Sequence, residues 1–298
     1  MQLLLEIILE FDLLRVVLSF LVGFFLMMSG SLSQIVTNNK LASPSTLGFD
    51  GFSVLTILIA QFGITLLGYS LSLEISSFII FMLIWGLVSL KVLNQYKEKQ
   101  RVTIQNSMQK VILIGIGFNL LVGAIFSIIQ FLFMAMNMDF PSGLWFGNFR
   151  FVSTEVLIVY SIVFILLEVI IFNLSKKLRI IAVGNDFAQG LGVDVLKVQK
   201  LALLLSLFLT GLVISFFGVF SFLALIFPHI IRMLPFFKYN VKNELYYGPY
   251  LAGLFLSGLD LVCYNITIAG AELPVGMVCS VIGSFLLLTL LIKRQSRV

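Results

Sequence analysis

Long apolar stretches alternate with short, polar, cation-bearing ones along the whole chain, and the spacing predicts paired membrane-spanning helices. A helix crossing the roughly 30 Å hydrocarbon core needs about 20 mostly apolar residues. Between Lys40 and Lys91 the only formal charges are Asp50 and Glu74, and Gly68-Tyr69-Ser70 supplies an outer turn. The stretch from Val111 to Asn173 breaks between Asn137 and Arg150, around Pro141, Ser142 and Gly143. As one helix, Leu201 to Ile231 would run about 46 Å at 1.5 Å per residue. Gly218 near its middle therefore predicts a tight hairpin of two short helices. Leu245 to Ile292 breaks between Asn265 and Pro274. These four hairpins, with a further span over Leu13 to about Ser33, predict an all-α polytopic protein of about nine transmembrane helices. Residues 1–12, MQLLLEIILEFD, are too short to cross. They read as an outer-surface amphipathic segment, or as the stump of a helix begun upstream. They lack the basic start of a signal peptide.

Charge supplies the orientation. Cytoplasmic loops collect Lys and Arg. Here 17 of the 19 fall into five groups: Lys40, Lys91 to Lys110, Lys176 to Lys200, Arg232 to Lys242, and Lys293 to Arg297. If all five face one side, each stretch between them crosses an even number of times, the N-terminus lies outside and the C-terminus is cytoplasmic. Composition agrees: of 298 residues 60% are apolar and 11% charged, against about 25% charged in a soluble domain. That excludes an ordinary soluble enzyme, a disordered chain and a nucleic-acid-binding module. The net charge of +5 belongs to the inner loops and the lipid surface. Cys263 and Cys279 lie in apolar runs and suggest neither a disulfide framework nor a metal site.

Three segments carry more polarity or glycine than membrane solubility requires. Ser29-Gly30-Ser31-Leu32-Ser33-Gln34 runs on through Asn38, Asn39, Lys40 and Pro44 to Leu47-Gly48. Irregular polar backbone at membrane depth is tolerated only against protein or water. This segment is therefore either the end of a pathway-lining helix or a close-packing stripe of small residues followed by a loop. Gly184 to Val193, GNDFAQGLGV, lies between two basic groups and reads as a short helix. Asn185 or Asp186 would cap it, and the Gly190 or Gly192 region would end it. With Phe187 and Leu191 exposed it would be a docking element, or else a loop helix at the interface. Phe227-Pro228-His229-Ile230-Ile231-Arg232 holds the chain's one histidine, within a turn of the basic end, which favours a capping role over proton relay.

No nucleotide-binding or hydrolase motif occurs, so no residue is assigned a catalytic, cofactor-binding or metal-binding role. The carboxylates within apolar runs, Asp50, Glu155, Glu168, Asp260 and Glu272, are too sparse for an ion pathway. A transporter built this way is passive or borrows a motor.

The order SG–Q–N–LA–P–LG, GNDFAQGLGVDV, FFGVFSFLALIFPHIIR, LD and AELPVGMVCSVIG resembles the permease subunits of iron–siderophore, haem and vitamin B12 ABC importers. The likeness runs from about Leu13 to Leu291, and the Asn39-Lys40-Leu41-Ala42-Ser43-Pro44 stretch resembles the catecholate-siderophore branch. The resemblance implies one permease domain over residues 1–298, a second permease subunit, two cytoplasmic ATPases, an external substrate-binding lipoprotein and a bacterial cell membrane. It implies a coupling region within 176–200, with Gly184, Asn185, Asp186, Ala188, Leu191, Gly192 and Val193 meeting the ATPase. It implies a pathway lined by Gly30, Ser31, Gln34 and Asn38, and by Asn119 on the helix from Gly115 to Phe126.

The chain also departs from the family pattern. Members usually begin one helix earlier, giving ten spans. At the outer mouth Phe11-Asp12-Leu13-Leu14-Arg15 replaces a two-arginine pattern, and Tyr264-Asn265 stands where another docking arginine often occurs. Arg15 alone carries over as a docking residue. An ion-gradient-driven transporter and an inactive membrane scaffold are the alternative functions.

Overall fold

The computed structural model describes residues 2–67, 73–94, 104–135, 146–149, 152–220, 222–238, 240–268 and 271–295. In chain order the elements are α1 (Gln2–Thr37), α2 (Phe49–Leu67), α3 (Leu73–Asn94), α4 (Ile104–Ala135), α5 (Thr154–Val183) and α6 (Asn185–Gly190). They continue with α7 (Val195–Phe217), α8 (Leu223–Met233), α9 (Val241–Tyr264), β1 (Thr267–Ile268), β2 (Ala271–Glu272) and α10 (Val275–Gln295). The fold is a helical membrane bundle. Its one departure among the described residues is the two-residue antiparallel pair β1–β2, which turns the chain between α9 and α10.

α1 is the axis of the bundle, packed against α5, α7, α8 and α9. Its sequence explains this position, because a helix that is apolar all round has no face to give to water. Small residues let neighbours approach. Ser29 and Ser33 of α1 share hydroxyl hydrogen bonds with Ser206 of α7, and Ser29 also bonds Thr210 at 2.7 Å. In a bilayer, interhelical contact of this kind replaces the hydrophobic driving force. α4, α5 and α10 instead present rows of exposed aliphatic and aromatic side chains, such as Leu113, Leu120 and Phe131 on α4.

Gly30 marks the tightest approach. A Cβ built there would lie 1.7 Å from the carbonyl oxygen of Ala224 on α8. The obstacle is backbone, so no rotamer change relieves it. Gly30→Val is expected to push α1 and α8 apart and to cost at least the usual overpacking penalty of about 1–3 kcal/mol. Size-exclusion chromatography of the detergent-solubilised variant would show lost monodisperse protein. Gly86→Ala, where an added Cβ meets nothing within 4 Å, is expected to leave the profile unchanged.

The hairpin boundaries follow the sequence reading with two corrections. Residues 2–12 are not a separate segment: they form the first turns of the 36-residue α1. The stretch around Gly218 is not two short helices but a 23-residue α7 and an 11-residue α8. α7 starts early because the Asp194 side chain caps it by accepting from the Lys197 amide, which places Lys197 and Lys200 inside the helix. α8 spans only about 16 Å at 1.5 Å per residue, roughly half the hydrocarbon core.

Between them the chain turns with left-handed backbone at Gly218 (φ +81°) and Phe222 (φ +67°), and residues 218–220 are buried. Backbone at that depth needs internal partners. They come from the 146–149 segment, where the Gly147 and Asn148 amides donate to Val219 and Phe217. The expected outer turns at Gly68–Ser70 and Pro141–Gly143 lie outside the described residues.

Among the described residues, four segments are individually long and apolar enough to cross a membrane: Leu13–Thr37, Leu113–Leu132, Thr154–Val183 and Val195–Phe217.

Candidate functional site

The candidate coupling bend is a defined structural unit. Gly184 ends α5 in extended backbone, the six-residue α6 follows, and Leu191 closes it. The sequence predicts a side-chain cap from Asn185 or Asp186. Instead Gly184 takes the cap position without a side-chain bond, and Asn185 is the first helical residue. Gly192 adopts φ +75°, a left-handed turn that glycine makes without strain. Its amide donates to Gln189 O at 2.9 Å, and Val193 N donates to Ala188 O at 3.0 Å, which brings the chain round into α7. Ala188 is fully buried and anchors α6 on the bundle. Phe187 and Leu191 are more than half exposed on its other side. No atom lies within 4 Å of a Cβ added at Gly184, Gly190 or Gly192, so that side is open.

Gln199, which the sequence reading did not single out, ties this unit to the centre. It is buried on α7, and its amide donates to Val36 O of α1 at 2.9 Å and to Asn185 Oδ1 at 3.3 Å. A displacement of α6 therefore bears directly on the end of α1.

The expected pathway residues fall into two groups. Gly30 serves the α1–α8 contact described above. Ser31 and Gln34 belong to a closed polar network between α1, α8 and α9. Ser31 Oγ donates to Glu244 Oε1 at 2.9 Å, and Gln34 Nε2 donates to Leu225 O at 3.1 Å. Arg232 donates to both oxygens of Glu244 and, through Nη1, to Gln34 Oε1. The structure thus places Ser31 and Gln34, two of the residues expected along a pathway, in a hydrogen-bonded network, with Gln34 also bordering the cleft described below. Glu244 was missed because its neighbour Lys242 placed it in a loop; it is a buried residue of the first turn of α9.

Asn38 lies beyond α1 with φ +49° and borders a cleft with Gln34. Asn119 is a clamp. Its Oδ1 accepts from the Gly51 amide at 2.8 Å, its Nδ2 donates to Ser45 O, and together they pin the start of α2 to α4. Gly115, one turn away, lets the 46–48 backbone come within contact of α4. Gly117 and Gly123 face open space.

Arg15 is placed quite differently from an outward-facing docking residue. It is buried, with Nε and Nη2 donating to the two carboxylate oxygens of Asp260 at 2.8 and 3.0 Å and Nη1 donating to Glu272 at 2.9 Å. Its guanidinium carbon lies 4.5 Å from the centre of the Tyr264 ring. The tyrosine at the position where an arginine was expected thus completes an internal cation site. Arg15 joins α1 to the end of α9 and the β1–β2 turn, with each of its three nitrogens donating to a carboxylate.

The sequence model of the FecCD transport family matches residues 1–293. The ferric enterobactin transport system permease protein FepG of Escherichia coli (strain K12) is 26% identical over 98% of this chain and 84% of that protein. The iron(3+)-hydroxamate import system permease protein FhuG of Bacillus subtilis (strain 168) is 28% identical over 96% of this chain and 84% of its own length. A solved inward-facing structure assigned to the metal-chelate type of ABC transporter superposes with a TM-score of 0.74 at 25% identity, covering 94% of this chain and 85% of that one.

Proposed function

The chain belongs to the FecCD transport family, and on that premise we propose that it is the membrane permease subunit of an ABC importer for a ferric siderophore or related iron chelate. A second permease chain, identical or different, would complete the pathway, separate ATPase subunits would supply the energy, and an external binding protein would deliver the chelate. The observation that carries this reading is α6: a short helix anchored by Ala188, hydrogen-bonded through Gln199 to α1, and otherwise open, with Phe187 and Leu191 outermost. A partner seated there could rock α5, α7 and α1 as rigid bodies. The open face of α4, with Gly117 and Gly123, suits close approach of the second permease chain.

The sidedness of the proposal comes from the cations. Lys40, Arg179, Arg232, Lys238 and Lys242 gather at the bundle end that carries α6, and clustered cations favour the cytoplasmic side. External docking would then fall at the opposite end, on groups more exposed than the buried Arg15.

The test is ATP-driven uptake of a radiolabelled ferric chelate into proteoliposomes holding the permease, its ATPase and its binding protein. Uptake that requires all three is the expected result. Uptake that persists without ATPase under an ion gradient would overturn the reading in favour of a secondary transporter.

A further inference from the structure

Three of the cation groups that are far apart in the sequence converge on one cleft of about 610 Å³. Lys40 comes from the end of the α1 segment, Arg179 from α5, and Lys238 and Lys242 from the connection into α9. The carboxylate on the wall, Glu244, is taken: Arg232 donates to both of its oxygens, and Ser31 donates to one. With Glu244 engaged, Lys40, Arg179 and Lys242 leave the lining cationic.

Arg179 lines the cleft and carries an unsatisfied donor of its own. Arg179 Nε is buried and has no hydrogen-bond acceptor. Buried donors are almost always satisfied, and an orphan on a charged group calls for an explanation. A guanidinium presents a planar fork of donors suited to phosphoryl oxygens. Beside these cations lie Ile35, Phe237 and Val241, an apolar wall that suits an amphiphile better than a hydrated inorganic ion. Basic pockets between helices at a membrane surface have the chemistry for anionic headgroups.

We propose that this cleft is a phosphoryl-anion site, filled by the headgroup of an anionic phospholipid with its phosphate on Arg179 and its glycerol stem along the apolar wall. It needs only the membrane-embedded chain and stands apart from the transport reading.

Native mass spectrometry of the full-length detergent-purified protein tests it, using short-chain phosphatidylglycerol, phosphatidylcholine of equal chain length, and glycerol phosphate as probes. Phosphatidylglycerol is expected to bind at least tenfold more tightly than phosphatidylcholine. The Arg179→Gln/Lys242→Gln variant should lose that preference, while Lys176→Gln/Lys177→Gln, which removes equal charge outside the cleft, keeps it. Lys242→Gln alone, at an exposed position, should weaken binding severalfold, which tests the site even if the double variant folds poorly. Glycerol phosphate binding with the same dependence on Arg179 would support the phosphoryl site and assign it a soluble occupant. Equal retention of both lipids, or a preference that survives the double substitution, would overturn it.

Discussion

Leu191→Asp is expected to abolish ATP-driven uptake while leaving the amount of folded permease unchanged. Leu191 closes α6, is 59% exposed, and is separated from the core by Ala188, so an aspartate there meets water in the isolated chain. In the assembled importer the same carboxylate would be buried against the ATPase without a partner. Leaving a charge in that position costs about 3–5 kcal/mol, roughly a hundredfold to several thousandfold in affinity. Leu191→Met, similar in volume and apolar, should retain uptake.

Gly192→Ala tests the same unit through its backbone, because φ +75° costs a residue with a Cβ about 1–2 kcal/mol. Its effect should be partial. Copurification with the ATPase and uptake measured on the same preparations separate lost docking from lost folding. Wild-type uptake from Leu191→Asp would refute the assignment of α6 as the coupling helix.

The second large effect is expected at the other end. Arg15→Met leaves Asp260, 1% exposed, as a buried carboxylate with its partner gone, and should cost about 3–5 kcal/mol of stability. The thermal unfolding temperature in detergent should fall clearly, with a parallel loss of yield. Adding Asp260→Leu to Arg15→Met should recover most of that loss, since a buried ion pair replaced by apolar side chains is often neutral. The two variants also separate structure from docking. If Arg15 acts only by holding α1 to α9 and the β1–β2 turn, the double variant regains uptake along with stability. Were its charge needed by an external protein, the double variant would be stable and still inactive.

Several elements were legible before any tertiary contact was known. The break at Gly218, the turn between Asn265 and Pro274, and a short glycine-bounded helix over 184–193 all lie where hydropathy and turn residues put them. The same holds for the convergence of Lys40, Arg179 and Lys242 at one end, which the grouping of cations had implied. Other features were not legible. Arg15 stood beside an aspartate in sequence and looked like a surface cation, yet its partner is 245 residues away. That Asn119 clamps Ser45 and Gly51 had no local signal in the sequence. Gln199 carried no pattern at all, and α8 gave no sign that half a span would suffice.

The division has one physical reason. Whether a segment enters lipid, and where it must stop, is decided by each residue's own transfer between water and hydrocarbon, so a linear reading of apolarity, glycine and positive charge determined that this is a helical membrane protein, with an end rich in cations and a small exposed helix there. How a buried polar group is satisfied depends on which helix becomes its neighbour. That adjacency is made by packing around α1, and it alone decided that Arg15, Gln34, Asn119 and Glu244 hold the bundle together.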